Sequence, residues 1–144
     1  MVLPDVNVLI HAFRPEHPRR PEFVRWLECL VNGHEAFALS EIVLSGFVRI
    51  VTHPRIFEHP DPIREALAFA SQVRSQPHCV LVTPGPRHWA IFADLCKRAE
   101  AKGNLVPDAY LAALAIETWC EWVTTDRDFA RFPGLRWRHP LDDG

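Results

Sequence analysis

The stretch PDAYLAALAIETWCEWVTTD, residues 107–126, decides how the fold is read. From 107 to 119 it is apolar nearly all round a helical period, so it reads as the most buried helix of the chain. Trp122-Val123-Thr124-Thr125 follows as a short run suited to a pleated surface and ends on Asp126. Working outward, similar short runs occupy residues 2–4, 36–39 and 79–82, with an edge-like one at 135–137. Helical spacing of apolar residues fills 7–13, 21–31, 40–51, 62–73 and 86–101. Pro21, Pro62, Pro86 and Pro107 each stand where a helical run opens, as proline prefers. Strands alternating with helices imply a central, mainly parallel sheet with right-handed crossovers. The expected fold class is therefore α/β, a three-layer α/β/α sandwich with a helical elaboration between the second and third strands. Such sheets bind ligands at the carboxyl ends of their strands. The linker candidates, 52–61 and 133–144, are too short to separate domains, so residues 1–144 are expected to form one domain.

Composition narrows the class. Apolar residues make up 48 % and charged residues 24 %, an ordinary globular balance that excludes a disordered chain. The net charge of −2 advertises no polyanion partner by itself. Of the 16 basic residues only Lys97 and Lys102 are lysine, which leaves 14 arginines, the residue suited to phosphate. Cys29, Cys79, Cys96 and Cys120 form no Cys-x-x-Cys pair and sit among apolar neighbours. They read as buried free thiols in a reducing cytosol. Residues 1–5 lack the basic start and long apolar run of a secretory leader. No apolar stretch approaches the roughly 20 residues of a membrane span.

Four acids stand at equivalent places. Asp5 follows the first strand, Glu41 begins a helix behind Ser40 and the second strand, and Asp126 follows the fourth. Asp108 opens the most buried helix. Singly, each is explained by helix capping or by the dipole at a helix N-terminus. Together they conflict: two carboxylates 4 Å apart repel by about 4 kcal/mol at an effective dielectric of 20. Gathering four requires protonation or a bound cation. Oxygen ligands without histidine or cysteine fit Mg²⁺, with Mn²⁺ as substitute, and argue against zinc.

These residues carry a resemblance. Asp5-Val6-Asn7, Ser40-Glu41, Pro107-Asp108-Ala109-Tyr110-Leu111-Ala112-Ala113-Leu114-Ala115 and Thr124-Thr125-Asp126-Arg127-Asp128-Phe129 resemble, in order and spacing, the four acidic motifs of the PIN-domain nucleases. Among these the chain is most similar to the VapC toxins of prokaryotic toxin–antitoxin pairs. The resemblance implies a Mg²⁺-dependent endoribonuclease of the prokaryotic cytoplasm, leaving 3′-hydroxyl and 5′-phosphate ends. It implies Asp5, Glu41, Asp108 and Asp126 as the acidic quartet, with Asp5 and Asp108 the most direct metal ligands. Asn7 and Thr124 would orient the carboxylates, and Asp128 adds a supporting acid. It further implies a cognate VapB-type antitoxin, lying in a groove and blocking the acidic site, and a homodimer.

An acidic pocket that cuts RNA needs a basic rim, for which Arg14, Arg19 and Arg20 are the candidates nearest Asp5 in sequence. His11 is a weaker candidate. Trp26, Trp89, Trp119 and Trp122 lie on apolar faces or beside strands and read as core, and Trp137 as an edge-strand aromatic. The broad apolar faces of 21–31 and 40–51 suggest the groove for a partner's helix. Three other readings remain at this point: a PIN nuclease of RNA processing, a non-catalytic module that binds RNA or protein, and a receiver-like phosphoacceptor. The last needs a lysine after a late strand, whereas Lys97 and Lys102 fall on a helix.

Overall fold

The structure, a computed structural model, describes residues 1–142; the last two residues of the 133–144 segment lie outside it. Five short strands and six helices alternate: β1 (Val2–Pro4), α1 (Val6–Phe13), α2 (Arg20–Asn32), β2 (Phe37–Leu39), α3 (Glu41–Val51), α4 (Ile63–Arg74), β3 (Cys79–Leu81), α5 (His88–Arg98), α6 (Leu105–Glu117), β4 (Glu121–Val123), a 3₁₀ turn (Arg127–Arg131) and β5 (Trp137–Arg138). β1, β4 and β5 form one parallel ladder set and β2 with β3 another. β2 runs beside β1 without a ladder. Proline explains the gap. Asp5 N–H bonds Val123 and Glu121 N–H bonds Met1, so the odd residues of this strand face β4. Pro4 faces β2 and has no N–H to offer.

The strand order β3-β2-β1-β4-β5 positions everything else. The first two crossovers run one way along the sheet and the third runs back. Right-handed connections then place α1–α4 and α5–α6 on opposite faces. The contacts agree: α1 packs on α2 and α3, α3 on α4, and α5 on α6. The order reverses between β1 and β4, and such a switch point is where an open α/β sheet receives its ligand.

The core lies between the layers. Leu3, Phe37, Leu39, Trp122 and Val123 of the strands are fully buried, as are Val8, Leu9, Val43, Phe47 and Leu114 of the helices. Each such side chain contributes about 1.5–3 kcal/mol by leaving water. α6 buries Ala109 and Ala112 through Ala115, which fits its reading as the most buried helix. The proline signals shift by a residue or two. α6 begins at Leu105, so Pro107 is its third residue; it still costs no helical bond, because the first four N–H groups have no partner. α5 begins two residues after Pro86.

Two tryptophans expected in the core are not there. Trp89 is 71 % exposed and Trp119 is 74 % exposed. Trp119 follows the end of α6 in the left-handed region, at φ 59°, which turns its ring outward. Of the four cysteines expected buried, Cys120 is; Cys79 and Cys96 are half-buried, Cys29 is exposed, and all four are free. Among the described residues no helix is long and apolar enough to cross a membrane.

Candidate active site

Asp5 is the centre of a hydrogen-bond network at the switch point. It caps α1, its Oδ1 accepting from the Val6 N–H at 2.7 Å. Its Oδ2 accepts from the Thr124 hydroxyl at 2.8 Å and from Asn7 Nδ2 at 3.1 Å. Thr124 is fully buried beyond the end of β4, and its Oγ1 also accepts from Asn7 Nδ2 at 3.2 Å and from the Asp126 N–H at 3.0 Å. A hydroxyl has one donor and two acceptor positions, so Thr124 is saturated. Asn7 Oδ1 completes the link by accepting from the Thr125 N–H at 3.1 Å. The strand ends of β1 and β4 are thereby tied together through side chains 117 to 119 residues apart.

Three of the four sequence-predicted acids lie near enough here to feel one another's charge. Burial pushes Asp5 up to about 6, against the pull of its hydrogen bonds, and the nearby Asp126 charge adds to the rise. Asp108, in the first turn of α6, is also pushed up to about 6, first by burial and then by the charges of Asp126, Asp5 and Asp128. Asp126 caps the 3₁₀ turn, its Oδ1 accepting from the Asp128 N–H at 2.9 Å. Asp128 itself is exposed. Glu41 stands apart. It is the first residue of α3, behind the Ser40 cap, but its exposed carboxylate pairs with Arg74 of α4 at 3.1 Å. That partner, 33 residues away, has no signature in the sequence.

A hard divalent cation suits this donor set. Asp5 presents about four lone pairs and three are taken, which leaves one on Oδ1 for a single further ligand. Among the described residues no three His, Cys, Asp or Glu side chains are gathered closely enough to enclose an ion. An ion here would be held through one or two carboxylates, with water and phosphate filling the remaining positions, as is usual for a hard dication.

The arginine rim is arranged differently from the expectation. Arg14 is 6 % exposed and spans Glu16, Asp61 and the His59 carbonyl while lying 3.7 Å over the Phe57 ring. Its guanidinium is committed to locking the end of α1 against the loop before α4, so it is not available to RNA. Arg19 is exposed and pairs with Glu22, and Arg20 is half-buried at the start of α2. The apolar faces of residues 21–31 and 40–51 do line grooves, each against α4. One, of about 530 Å³, lies between α3 and α4 beside Leu44, Val48, Ile63 and Leu67. The other, about 200 Å³, lies between α2 and α4 beside Val24, Leu27 and Phe69.

The parallel sheet, its switch point and the acids around it define a PIN domain; residues 2–135 match that family, and the chain belongs to it. Its curated relatives are VapC ribonucleases. The chain is 43 % identical over 140 residues to ribonuclease VapC25 of Mycobacterium tuberculosis, covering 97 % of this chain and 99 % of that one. It is 41 % identical over 142 residues to VapC ribonuclease Mb2897 of Mycobacterium bovis, covering 99 % and 97 %. Among solved structures it is similar to VapBC2 from Rickettsia felis bound to a promoter DNA fragment, with TM-score 0.72, 20 % identity and coverage of 96 % and 98 %. It is also similar to Mycobacterium tuberculosis VapC20, a sarcin–ricin loop cleaving toxin, with TM-score 0.63, 18 % identity and coverage of 94 % and 99 %.

Proposed function

We propose that this protein is a Mg²⁺-dependent endoribonuclease of the bacterial cytoplasm and the toxin of a VapBC-type pair, with residues 1–144 acting as one catalytic unit. The observation that supports the reading is the charge that Asp5, Asp108 and Asp126 exert on one another beside the sheet's switch point, with Asp5 and Asp108 both pushed up to about 6. Carboxylates so placed destabilise one another until a cation neutralises them. Full-length similarity to VapC ribonucleases supports the substrate class.

In this reading Asp5 and Asp108 would hold the ion, and Asp126, with Asp128 beside it, would orient water. Mg²⁺, replaceable by Mn²⁺, supplies Lewis-acid activation of a water and of the phosphodiester. Thr124 and Asn7 hold Asp5 in one rotamer, so its free lone pair points the same way in every turnover. Glu41 completes the quartet once it exchanges Arg74 for the site. The phosphodiester opens by in-line attack, leaving 3′-hydroxyl and 5′-phosphate ends. The grooves beside α4 receive a VapB-type antitoxin, since a small domain leaves such apolar faces open for a partner's helix. In this reading the chain also forms a homodimer.

The test is cleavage of total bacterial RNA by the purified protein with Mg²⁺, Mn²⁺ or EDTA, followed by sequencing of the new 5′ ends. Discrete, metal-dependent ends that vanish in Asp5→Asn and Asp108→Asn are the expected result. Uncut RNA under every condition, from protein that is folded and monodisperse, sinks the reading.

A further inference from the structure

Outside the acidic pocket, titratable side chains gather around Phe23 of α2, which is 1 % exposed. The His11 and His17 rings each lie 5.0 Å from it and 4.4 Å from each other, and His139 lies 6.2 Å from it. They come from α1, the loop after it and the segment after β5, so only the fold brings them together. Two of the rings have their tautomers set by the backbone. The Arg19 N–H donates to His17 Nδ1 at 3.0 Å and the Leu141 N–H to His139 Nδ1 at 3.1 Å. The proton of each neutral ring is therefore on Nε2.

Two arginines complete the cluster. Arg127 reaches the cluster through Asp142, which it approaches at 3.6 Å and whose N–H donates to the His139 carbonyl at 3.2 Å, and Arg19 adjoins it through its N–H on His17 Nδ1 at 3.0 Å. The Arg19 and Arg127 side chains are 53 % and 66 % exposed, and among the described residues each pairs with an exposed acid, Glu22 for Arg19 and Asp142 at 3.6 Å for Arg127. Burial, then the neighbouring positive groups, holds His11 below the usual histidine range. His139 is lowered by burial too, and Arg127, Arg19 and His17 add to this against Asp142. What the cluster offers is donors and positive charge, and its edge at Arg127 begins one residue from Asp126.

A pocket of acids repels the phosphates it must cut, so the strand has to be held from a flank. We propose that His17, Arg19, Arg127 and His139 form a backbone-phosphate subsite that leads single-stranded RNA to the acidic pocket. The proposal rests on the ribonuclease reading and names the flank by which substrate enters. Arginine forks bind phosphate in two-pronged fashion, and Nε2–H groups add neutral donors. Phosphate replaces Glu22 and Asp142, whose exposed ion pairs are weak. Contacts of this kind position a strand without reading its sequence.

The experiment measures binding and cleavage separately. Full-length Asp5→Asn protein, free of divalent ions, is titrated into a labelled single-stranded oligoribonucleotide over a range of KCl. Arg19→Gln and Arg127→Gln are then added singly and together. Each is expected to weaken binding and to reduce the slope of log affinity against log salt by about 0.7, one phosphate contact on a single strand. In the otherwise wild-type protein with Mg²⁺, the same changes are expected to raise KM and leave kcat in place. His17→Asn and His139→Asn, which retain an acceptor for the backbone N–H but lose Nε2, are expected to raise KM without the change in salt slope. Unchanged KM and salt slope in a protein that still cleaves RNA overturns the subsite and leaves the ribonuclease reading intact. A wild-type protein that neither binds nor cleaves RNA removes both.

Discussion

Three hydrogen bonds converge on the carboxylate of Asp5, yet burial outweighs them and pushes the group up to about 6. Because its folded value lies above the ordinary 3.8, the folded protein binds the proton more tightly than the unfolded chain does. In the ion-free protein the stability tied to Asp5 is therefore lost as pH rises from about 4 to about 6, and Asp108 has the same sign. His11 and His139 have lowered values and act in the opposite direction over part of that range, so the measurement must be a difference. In urea melts without divalent ions, Asp5→Asn is expected to gain stability over wild type more at pH 7 than at pH 5. A gain independent of pH would remove Asp5 from the group of repelling charges. Thr124 lends itself to a second test. Thr124→Val preserves shape but deletes the donor to Asp5 and the acceptor for Asn7 and Asp126. Loss of a hydrogen bond that orients a metal ligand costs about 10–100-fold in metal affinity or activity. Mn²⁺ titration and cleavage rates are expected to fall together by that factor.

The helices on the second face are held by their ends. Glu117, at the end of α6, accepts from the Gly85 N–H at 2.7 Å and the Arg87 N–H at 2.9 Å, and so anchors the entry to α5. Burial opposes its ionisation, but these bonds and the charges of His88 and Arg87 hold the carboxyl below its usual range. A Cβ on Gly85 would stand 2.9 Å from Glu117 Oε2, which is why a glycine sits there. Both α5 and α6 finish in paired reverse bonds. Ala101 N–H reaches Cys96 and Glu100 N–H reaches Lys97; Cys120 N–H reaches Ala115 and Trp119 N–H reaches Ile116. Each motif places a non-glycine residue in the left-handed region, Glu100 at φ 49° and Trp119 at φ 59°. Glu100 is exposed, so little but its backbone strain opposes replacement. Glu100→Gly is expected to raise stability by about 0.5–1 kcal/mol, the left-handed penalty less glycine's extra unfolded entropy. A lower urea midpoint would show that the side chain contributes more than its strain costs.

Across the chain, the reversal of strand order is what links stability to activity. The switch point requires β1 and β4 to lie side by side, and the acids that the reversal brings together repel unless a cation is present. A ligand bound only by the folded state stabilises it by about 2.7 kcal/mol at one hundred times its Kd. Mn²⁺ is thus expected to raise the Tm of the wild type in a concentration-dependent way and to leave Asp5→Asn nearly unmoved. Equal shifts in both proteins would place the ion elsewhere.

Much of this could be read along the chain. Short β-prone runs between amphipathic helices showed the α/β class and all five strands to within a residue or two, because periodicity is local. The acids were visible for the same reason: each sits at a strand end or a helix start, and those places are marked by neighbouring residues. Periodicity showed the apolar faces of 21–31 and 40–51 that line grooves, but it did not say which helices are neighbours, and so it did not show that each groove is closed by α4. Nor did it say where a long side chain turns. Arg14 is drawn inward by Asp61 and Phe57, Glu41 sideways by Arg74, and Trp119 outward by the left-handed turn beneath it. Those outcomes depend on charges and rings brought close only by folding, and pairwise forces of a few ångströms' reach leave no trace in the order of residues.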